Sequence, residues 1–244
     1  MARHFATTPG RSLMKKPRRN TKKTEALPEW ERLLSAQMFF QSEFPECVLV
    51  GGTAAALHAH HRISLDADYV LSDLRKRFQK IVQAVEAAAG WRTNRLEPPV
   101  LILGNFHGVR TGVRQLIRAH PLETTTVHGL RIPTPEEMLR IKGYLIVRRN
   151  ATRDFLDFIA LWDHLGVHCS LPALHSLDWL YPQAGDTTIS QQLALQLAEP
   201  KPWDLSHTNL SNYKALQAPY TDWTIVQHRT ATAAQKIMLE LLRK

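Results

Sequence analysis

The sequence predicts an α/β fold of the α+β type, in which a mixed sheet with flanking helices is followed by a helical C-terminal region. Apolar runs of strand length alternate with helical patterns from Val48 to about residue 90, and residues 91–132 are rich in apolar and β-branched runs. Residues 170–244 carry only helical patterns, which prolines divide. Because the strands come first and the helical run afterwards, we expect a boundary near residue 167.

Each element follows from a local pattern. Residues 28–43 predict an amphipathic helix with Pro28 in its first turn, and residues 52–62 predict a small-residue helix that packs closely on a sheet. The strand at 48–50 precedes that helix, and the strand at 65–71 follows it. The other expected strands are 100–103, 113–117, 122–127 and 130–132, and the other expected helices are 73–89, 134–149, one that starts near 152, 171–180, 187–197, 207–216 and 221–243.

The chain between the expected strands and the C-terminal helices carries clear punctuation. Thr134 is suited to cap a helix that has Pro135 in its first turn, and Asn150 can end that helix in a left-handed conformation. Thr152 is expected to cap the next helix. The dipeptide at 128–129, His-Gly, suggests a hairpin turn.

The net charge of +9 is unevenly distributed along the 244 residues. Residues 1–24 hold eight Lys or Arg residues and no acid, so the rest of the chain is close to neutral. We expect a flexible basic arm here, and three interpretations stay open: a nonspecific polyanion-binding arm, a transit peptide, or an over-extended start with Met14 as a later one.

The remaining composition indicates a soluble cytoplasmic protein without a membrane partner. Two cysteines, Cys47 and Cys169, are few enough to argue for a reducing compartment. No apolar run approaches the roughly 20 residues of a membrane helix.

Two aspartates in the second apolar run, Asp66 and Asp68, are the first candidate site residues. Residues i and i+2 of a strand share a face, so both carboxylates would point the same way. Two such anions repel each other unless a cation lies between them, and their oxygens suit Mg²⁺ bound together with substrate phosphates. Gly51 and Gly52 remove side chains at a helix N-terminus, where backbone N–H groups can meet a phosphate. These residues favour a site for nucleotide transfer.

Two blocks of sequence surround this site. The first reads Gly-Gly-Thr-Ala-Ala-Ala-Leu-His at 51–58 and His-Arg-Ile-Ser-Leu-Asp-Ala-Asp at 61–68. The second reads Pro-Glu-Glu-Met-Leu at 135–139, continues with Lys142 and Arg149, and ends with Arg-Asp-Phe at 153–155 and Asp157. The order of these blocks resembles the AbiEii/AbiGii toxin family, within the nucleotidyltransferase superfamily that includes DNA polymerase beta. The resemblance covers roughly residues 45–165.

The resemblance implies a nucleotidyltransferase-like domain over residues 25–166, between the basic arm at 1–24 and a helical region at 167–244. The implied reaction moves a nucleoside monophosphate from an NTP, with Mg²⁺ or Mn²⁺, to an RNA such as the 3′ end of a tRNA, or to a protein hydroxyl. The implied setting is the toxin of a toxin–antitoxin or phage-defence system, with a separate antitoxin protein as partner.

The same resemblance implies roles for residues of both blocks. The implied catalytic residues are Asp66, Asp68, Lys142, Asp154 and Asp157, of which the first two hold the metal. The implied nucleotide-binding residues are Gly51, Gly52, Thr53, Ser64, Lys142, Arg149 and Arg153, with Lys142 facing the phosphates.

One strand departs from the superfamily pattern. A third carboxylate often acts there as the base, but the strand reads Val-Arg-Gln-Leu-Ile at 113–117, with Gln115 or its neighbour in the slot. Either Asp154 or Asp157 replaces the missing acid, or the chemistry is weak, or the chain is a catalytically inactive nucleotide- or RNA-binding module. A binding-only partner protein resembling an antitoxin is a further alternative.

Several of these residues also allow purely structural roles. Lys142 could be an exposed helix lysine, and Arg153 with Asp157 could form an i,i+4 ion pair. The three histidines within 58–61 are expected to serve structure or substrate contact rather than a metal. The aromatic residues of the C-terminal region, Trp179 among them, are expected mainly in the core, with stacking on single-stranded bases as the alternative.

Overall fold

The structure is a computed structural model that describes Met1 and residues 28–243. The predicted basic arm, beyond its first residue, lies outside the described part of the chain. The strands are β1 (Val48–Val50), β2 (Asp66–Leu71), β3 (Trp91–Glu97), β4 (Leu101–Phe106), β5 (Val109–Gln115), β6 (Thr124–Val127) and β7 (Leu130–Pro133). The α-helices are α1 (Pro28–Glu43), α2 (Gly51–Ala59), α3 (Leu74–Ala87), α4 (Pro135–Arg149), α5 (Thr152–Leu165), α6 (Val167–Leu174), α7 (Leu177–Leu180), α8 (Ile189–Ala198) and α9 (Trp223–Leu241).

The strands form a mixed five-stranded sheet in the order β1-β2-β5-β4-β3, and β6 and β7 form a separate hairpin. The β2–β5 pair is parallel, whereas the other neighbours in the sheet run antiparallel. The predicted fold class, a mixed sheet with helices and a helical C-terminal region, is confirmed. None of the helices in the described residues combines the length and apolarity that a bilayer span requires.

The tight β1–α2 junction sets the position of the site. Three buried residues form β1, and Gly51, with φ of +74°, turns the chain directly into α2. The side chains of Ala54, Ala55 and Ala56 are buried, so the helix lies close to the sheet and to α5. The helix ends at Ala59, earlier than expected, because His60 adopts a left-handed conformation and donates its N–H to the carbonyl oxygen of Ala56.

Helix α4 begins and ends as its sequence predicts. Thr134 Oγ1 accepts a hydrogen bond from Glu137 N at 3.2 Å, Pro135 occupies the first turn, and Asn150 is left-handed with φ of 45°. The hairpin turn at 128–129 is also confirmed, since both residues have positive φ between β6 and β7.

The start of α5 differs from its prediction. Thr152 is the first helical residue instead of the cap. Its N–H and its hydroxyl both donate to Asp204 Oδ1, each at 2.7 Å. A carboxylate 52 positions further along the chain therefore caps this helix, which no local pattern could show.

Two predicted C-terminal helices are wrong in detail. The segment 207–216 forms short 3₁₀ turns at Leu205–His207 and Leu210–Asn212, because Asn209 Oδ1 accepts from Ser211 N and competes with the helical backbone bonds. The predicted helix 171–180 is divided into α6 and α7. The boundary near residue 167 stays a prediction, and one continuous apolar core contains buried residues from both sides of it.

Replacing the cap of α4 tests how this helix is held. Thr134→Ala removes the acceptor for Glu137 N, and we expect the free energy of unfolding to fall by about 1 kcal/mol. Thr134→Ser keeps the hydroxyl and is the control. Its expected change in the free energy of unfolding is a few tenths of a kcal/mol, about the smallest difference that urea denaturation resolves. Equal stability of the two variants would contradict the cap.

Candidate active site

A cavity of about 380 Å³, here called the main cavity, lies between the sheet and the helices α4 and α5. Its charged lining residues are Asp66, Asp68, Arg110, Arg114, Arg149 and Arg153. Helix α4 contributes Ile141, Tyr144, Leu145 and Arg149 from one face. Arg149 lies about 12 Å along the helix from Ile141, at 1.5 Å per residue. The cavity therefore has a cationic side near the end of α4 and an apolar side near its middle.

Asp66 and Asp68 share one face of β2, and the residue between them, Ala67, is buried on the other. The side chains of the two aspartates are 50% and 39% exposed, and both line the main cavity. Strand parity therefore brings the two carboxylates to the same wall, as the i,i+2 spacing requires.

Two glycines leave space around Asp68. A Cβ on Gly51 would lie 3.2 Å from Asp68 Oδ2, and a Cβ on Gly112 would lie 3.3 Å from Asp68 Oδ1. Both contacts are tighter than ordinary packing, and the positive φ of Gly51 adds strain for any other residue. The absent side chains thus keep both carboxylate oxygens accessible from the main cavity.

The other predicted residues of the first block have structural contacts. A Cβ on Gly52 would collide with the guanidinium of Arg62 and would lie 2.9 Å from Ser64 Oγ, so Gly52 makes room for these two side chains. Thr53 is buried, and its hydroxyl donates to the carbonyl oxygen of Asp66 at 2.6 Å. Of the four residues of this block that the resemblance assigns to nucleotide binding, only Gly51 lines the main cavity; Gly52, Thr53 and Ser64 do not.

Two arginines that the sequence interpretation did not single out face the aspartates. The β2–β5 register pairs Asp66 with Arg110 and Asp68 with Gly112. Arg110 Nη1 lies 3.8 Å from Asp66 Oδ2, and Arg114 Nε lies 3.4 Å from Asp68 Oδ1. Such exposed pairs contribute about 1 kcal/mol or less, so a ligand can separate them. In the sequence, the alternation Arg-x-Gly-x-Arg along β5 is the pattern that could have indicated these two arginines.

The side chain of Gln115 binds the backbone at the start of α3. Its carboxamide oxygen accepts from Arg75 N at 2.8 Å, and its nitrogen donates to the carbonyl oxygen of Ser72 at 2.7 Å. The residue beside it, Arg114, is the one that contacts an aspartate of the pair. The strand that would supply a third carboxylate therefore supplies a cation instead.

A cluster of charges, here called the charge cluster, lies beneath the main cavity and consists of His61, Arg62, Lys142, Arg149, Asp154 and Asp157. Lys142 Nζ lies 3.2 Å from Asp154 Oδ1 and 2.7 Å from Asp157 Oδ2, and all three side chains are buried. Arg62 binds both oxygens of Asp157, at 2.8 and 3.0 Å. Arg149 binds both oxygens of Asp154, at 2.5 and 2.8 Å.

The pKa values in the charge cluster follow from burial and from these partners. Burial favours the neutral form of Asp157, but Arg62, Lys142 and His61 outweigh it and hold the pKa of Asp157 well below its usual range. Burial likewise opposes ionisation of Asp154, and Lys142 and Arg149 lower its pKa. Burial lowers the pKa of His61, which is therefore neutral at pH 7.

The charge cluster carries one excess positive charge at neutral pH, because three cations face two carboxylates. Arg149 is the member that reaches the main cavity, with its side chain 38% exposed. Its burial opposes the charged form, but Asp154 and, more weakly, Asp68 raise its pKa. Arg149 thus presents a positive charge at the main cavity, which Asp68 also lines.

The predicted site residues of the second block fall into two groups, one buried in the charge cluster and one at the main cavity. Lys142 is buried and does not line the main cavity. Asp154 and Asp157 are also buried, are engaged by cations and do not line the main cavity. Arg149 and Arg153 do line the main cavity. The i,i+4 pair suggested for Arg153 does not use Asp157, whose partners are all in the charge cluster.

The expectation that the histidines near the Asp pair serve structure is confirmed for two of them. His58 Nε2 lies 2.8 Å from the carbonyl oxygen of Pro133, and His61 Nε2 lies 2.8 Å from Asp157 Oδ1. Among the described residues, no group of three or more His, Cys, Asp or Glu side chains could hold a metal. The oxygens of Asp66 and Asp68 nevertheless fit Mg²⁺, which often binds one or two carboxylates and completes its shell with water and phosphate.

Comparisons with known proteins agree on the fold. A solved structure of JHP933 from Helicobacter pylori is 17% identical, with a TM-score of 0.53 over 88% of this chain and 92% of that one. A second H. pylori structure, described as a candidate nucleotidyltransferase, is 16% identical, with a TM-score of 0.50 over 87% of this chain and 97% of that one. The chain therefore has a nucleotidyltransferase-like fold.

The sequence comparisons give a different kind of relative. No family model matches the chain. The mycolic acid-containing lipids exporter MmpL11 of Mycolicibacterium smegmatis is 35% identical over 130 residues, which cover 50% of this chain. The match spans only 13% of that exporter's length.

Removing one carboxylate of the charge cluster tests its structural role. Asp157→Asn leaves Arg62 and Lys142 buried without full compensation, so we expect the free energy of unfolding to fall by about 3–5 kcal/mol. Asp163→Asn on the same helix is the control, since Asp163 pairs at the surface with Arg229 and Tyr220. Its expected loss is about 1 kcal/mol. Equal losses in urea denaturation would contradict the assignment.

The pH dependence of stability tests the same charges. Since the pKa of buried His61 is lowered, the unfolded chain binds more protons than the folded chain below about pH 6.5. Since the pKa values of Asp154 and Asp157 are also lowered, the same holds below about pH 4. We expect the free energy of unfolding to fall as the pH drops from about 7 to 5, and to fall further below about 4. Urea denaturation across this range measures it, and a rise toward acid pH would be the opposite result.

Proposed function

We propose that this protein is a nucleotidyltransferase that moves a nucleoside monophosphate from an NTP to an acceptor hydroxyl, with pyrophosphate as the leaving group. One observation carries the proposal: Asp66 and Asp68 share one face of β2 at the wall of the main cavity, and Gly51 and Gly112 leave space around the carboxylate of Asp68. Two half-exposed carboxylates beside several cations suit a metal–triphosphate ligand better than a neutral one.

The charges around the aspartates support binding of the triphosphate. Arg149 is held by Asp154 with its guanidinium at the cavity, and Arg153 lies on the next helix at the same wall. Arg110 and Arg114 are exposed on β5 and can exchange their long contacts with the aspartates for phosphate oxygens. We assign the phosphate-facing role to Arg149, in place of the buried Lys142.

A divalent cation belongs to this proposal, and Asp66 and Asp68 are the residues that would hold it. When bound, Mg²⁺ or Mn²⁺ would neutralise the charge of the phosphates during transfer. The protein's own contribution is to orient the carboxylates and the arginines before the substrate arrives. The described cavity walls supply no third carboxylate as base, so we expect slow turnover.

The finer assignment rests on the sequence blocks. Their resemblance to the AbiEii/AbiGii toxins supports an RNA acceptor such as a tRNA 3′ end, or a protein hydroxyl. It also supports a role as the toxin of a toxin–antitoxin or phage-defence system with an antitoxin partner, acting in the cytoplasm.

The test is a transfer assay with the full chain, Mg²⁺, each α-labelled NTP in turn, and total RNA plus cell extract as acceptors. We expect label on RNA or protein, reduced more than about 100-fold in Asp66→Asn and in Asp68→Asn. Asp186→Asn is the control, because this exposed aspartate lines neither cavity described for this protein. Undiminished label in Asp68→Asn would overturn the proposed role of the pair.

A second candidate is a catalytically inactive nucleotide-binding module of the same fold. Arg114 favours it, because a cation contacts Asp68 on the strand where a third acid would be expected. The likeness to a short part of a much longer exporter also suits a binding module. Binding and transfer measured together distinguish the candidates. NTP binding that weakens in Asp68→Asn, with no label on any acceptor, supports the inactive module, whereas labelled product from the unaltered chain contradicts it.

A further inference from the structure

A second pocket, here called the side pocket, adjoins the main cavity and has a volume of about 220 Å³. The two spaces share Ile117, Tyr144 and Tyr181 in their walls. Residues 117–120, which follow β5, form one side, and residues 179–183, at the end of α7 and beyond it, form the other. The side pocket therefore lies directly beside the apolar side of the main cavity.

The side pocket is lined by aromatic rings. The rings of Trp179 and His120 stack with their centroids 3.8 Å apart and their planes at 28°. Tyr144 and Tyr181 stack with centroids 4.0 Å apart and planes at 14°. Trp179 is 62% exposed, contrary to its expected place in the core, so a large flat apolar surface faces solvent beside the cavity.

Buried charges hold this surface in place. Arg118 follows β5, and its guanidinium lies 2.7 Å from Glu137 of α4, with both side chains buried. The same guanidinium donates to the carbonyl oxygens of His120 and Pro121, at 3.0 and 2.8 Å. It also lies 5.5 Å from the ring centre of Tyr181. The segment that carries His120 is thus anchored to α4 before any ligand binds.

We propose that the side pocket is a nucleobase subsite, in which a base stacks on Trp179. This inference rests on the proposed function, since it gives the pocket to a substrate of that reaction. Each base has a flat face, so stacking on an aromatic side chain tolerates any of the four bases. The volume is below the roughly 300–1,000 Å³ of pockets for whole drug-sized ligands, which suits a single ring system.

The chemistry of the walls favours a base over a cationic ligand. An aromatic cage for a quaternary ammonium group gains from anionic walls, whereas the residues that line this pocket include Arg118 and no carboxylate. Gln183 offers a carboxamide, whose oxygen accepts and whose nitrogen donates, as the edge of a base requires. The base could belong to the donor NTP or to the terminal nucleotide of an RNA acceptor, and both have the same ring chemistry.

The test measures binding instead of transfer, with full-length protein in EDTA. The donor probes are the four NTPs, with inorganic triphosphate as the base-free comparison. The acceptor probes are a short single-stranded oligoribonucleotide and the same oligonucleotide with an abasic 3′ end. The variants are Trp179→Ala and Trp179→Phe, and Trp203→Ala is the control because this tryptophan is 70% exposed and lines neither cavity.

We expect Trp179→Ala to weaken binding of base-containing probes about tenfold and to leave base-free probes unchanged, with Trp179→Phe close to wild type. A loss confined to NTPs assigns the pocket to the donor base, and a loss confined to the intact oligonucleotide assigns it to the acceptor. Unchanged affinity of Trp179→Ala for every probe, or an equal loss in Trp203→Ala, would overturn the subsite. Absence of labelled product with Trp179-dependent binding intact would count against the transferase alone.

Discussion

The buried carboxylate of Asp157 is the constraint on which the arrangement of this site depends. It binds His61 and Arg62 from the connection between α2 and β2, and Lys142 from α4. Charges buried in this way are stable only while every partner is present, because an uncompensated ion in the interior costs several kcal/mol. The helices that surround the main cavity are therefore fixed relative to β2 by one shared anion.

Asp154 connects the buried carboxylate of Asp157 to the wall of the main cavity. It shares Lys142 with Asp157 and holds Arg149 through two hydrogen bonds, so that Arg149 presents its positive charge at the main cavity. The chain thus uses two pairs of aspartates in opposite ways. The buried pair has lowered pKa values and positions cations, whereas the half-exposed pair on β2 is free to meet a ligand.

Local sequence patterns anticipated the features that depend on local geometry. The shared face of Asp66 and Asp68 follows from strand parity, and the limits of α4 follow from its cap and its left-handed last residue. The roles of the second block depend on partners far along the chain, such as His61 with Asp157, which are 96 positions apart. The family resemblance implies that Lys142 faces the phosphates, but no local pattern shows that its ammonium group is buried between Asp154 and Asp157.

Strand register and exposure were likewise invisible in the sequence. Arg110 and Arg114 become candidates only once β5 is known to pair in parallel with β2, because that register brings them beside the aspartates. Trp179 has the same hydrophobic character as a core residue, and only its position on the short helix α7 exposes it at the side pocket. Both features lie outside the two sequence blocks, at 51–68 and 135–157, that carry the family resemblance.

The measurement that tests the account most directly is the affinity of a non-hydrolysable NTP analogue for the protein, by calorimetry, with Mg²⁺ and with EDTA. If Asp66 and Asp68 hold a cation that bridges to phosphates, Mg²⁺ should tighten binding at least about tenfold, which is about 1.4 kcal/mol, and Asp68→Asn should abolish that gain. Equal affinity with and without Mg²⁺ in the unaltered protein would contradict the metal–phosphate site at the centre of this account.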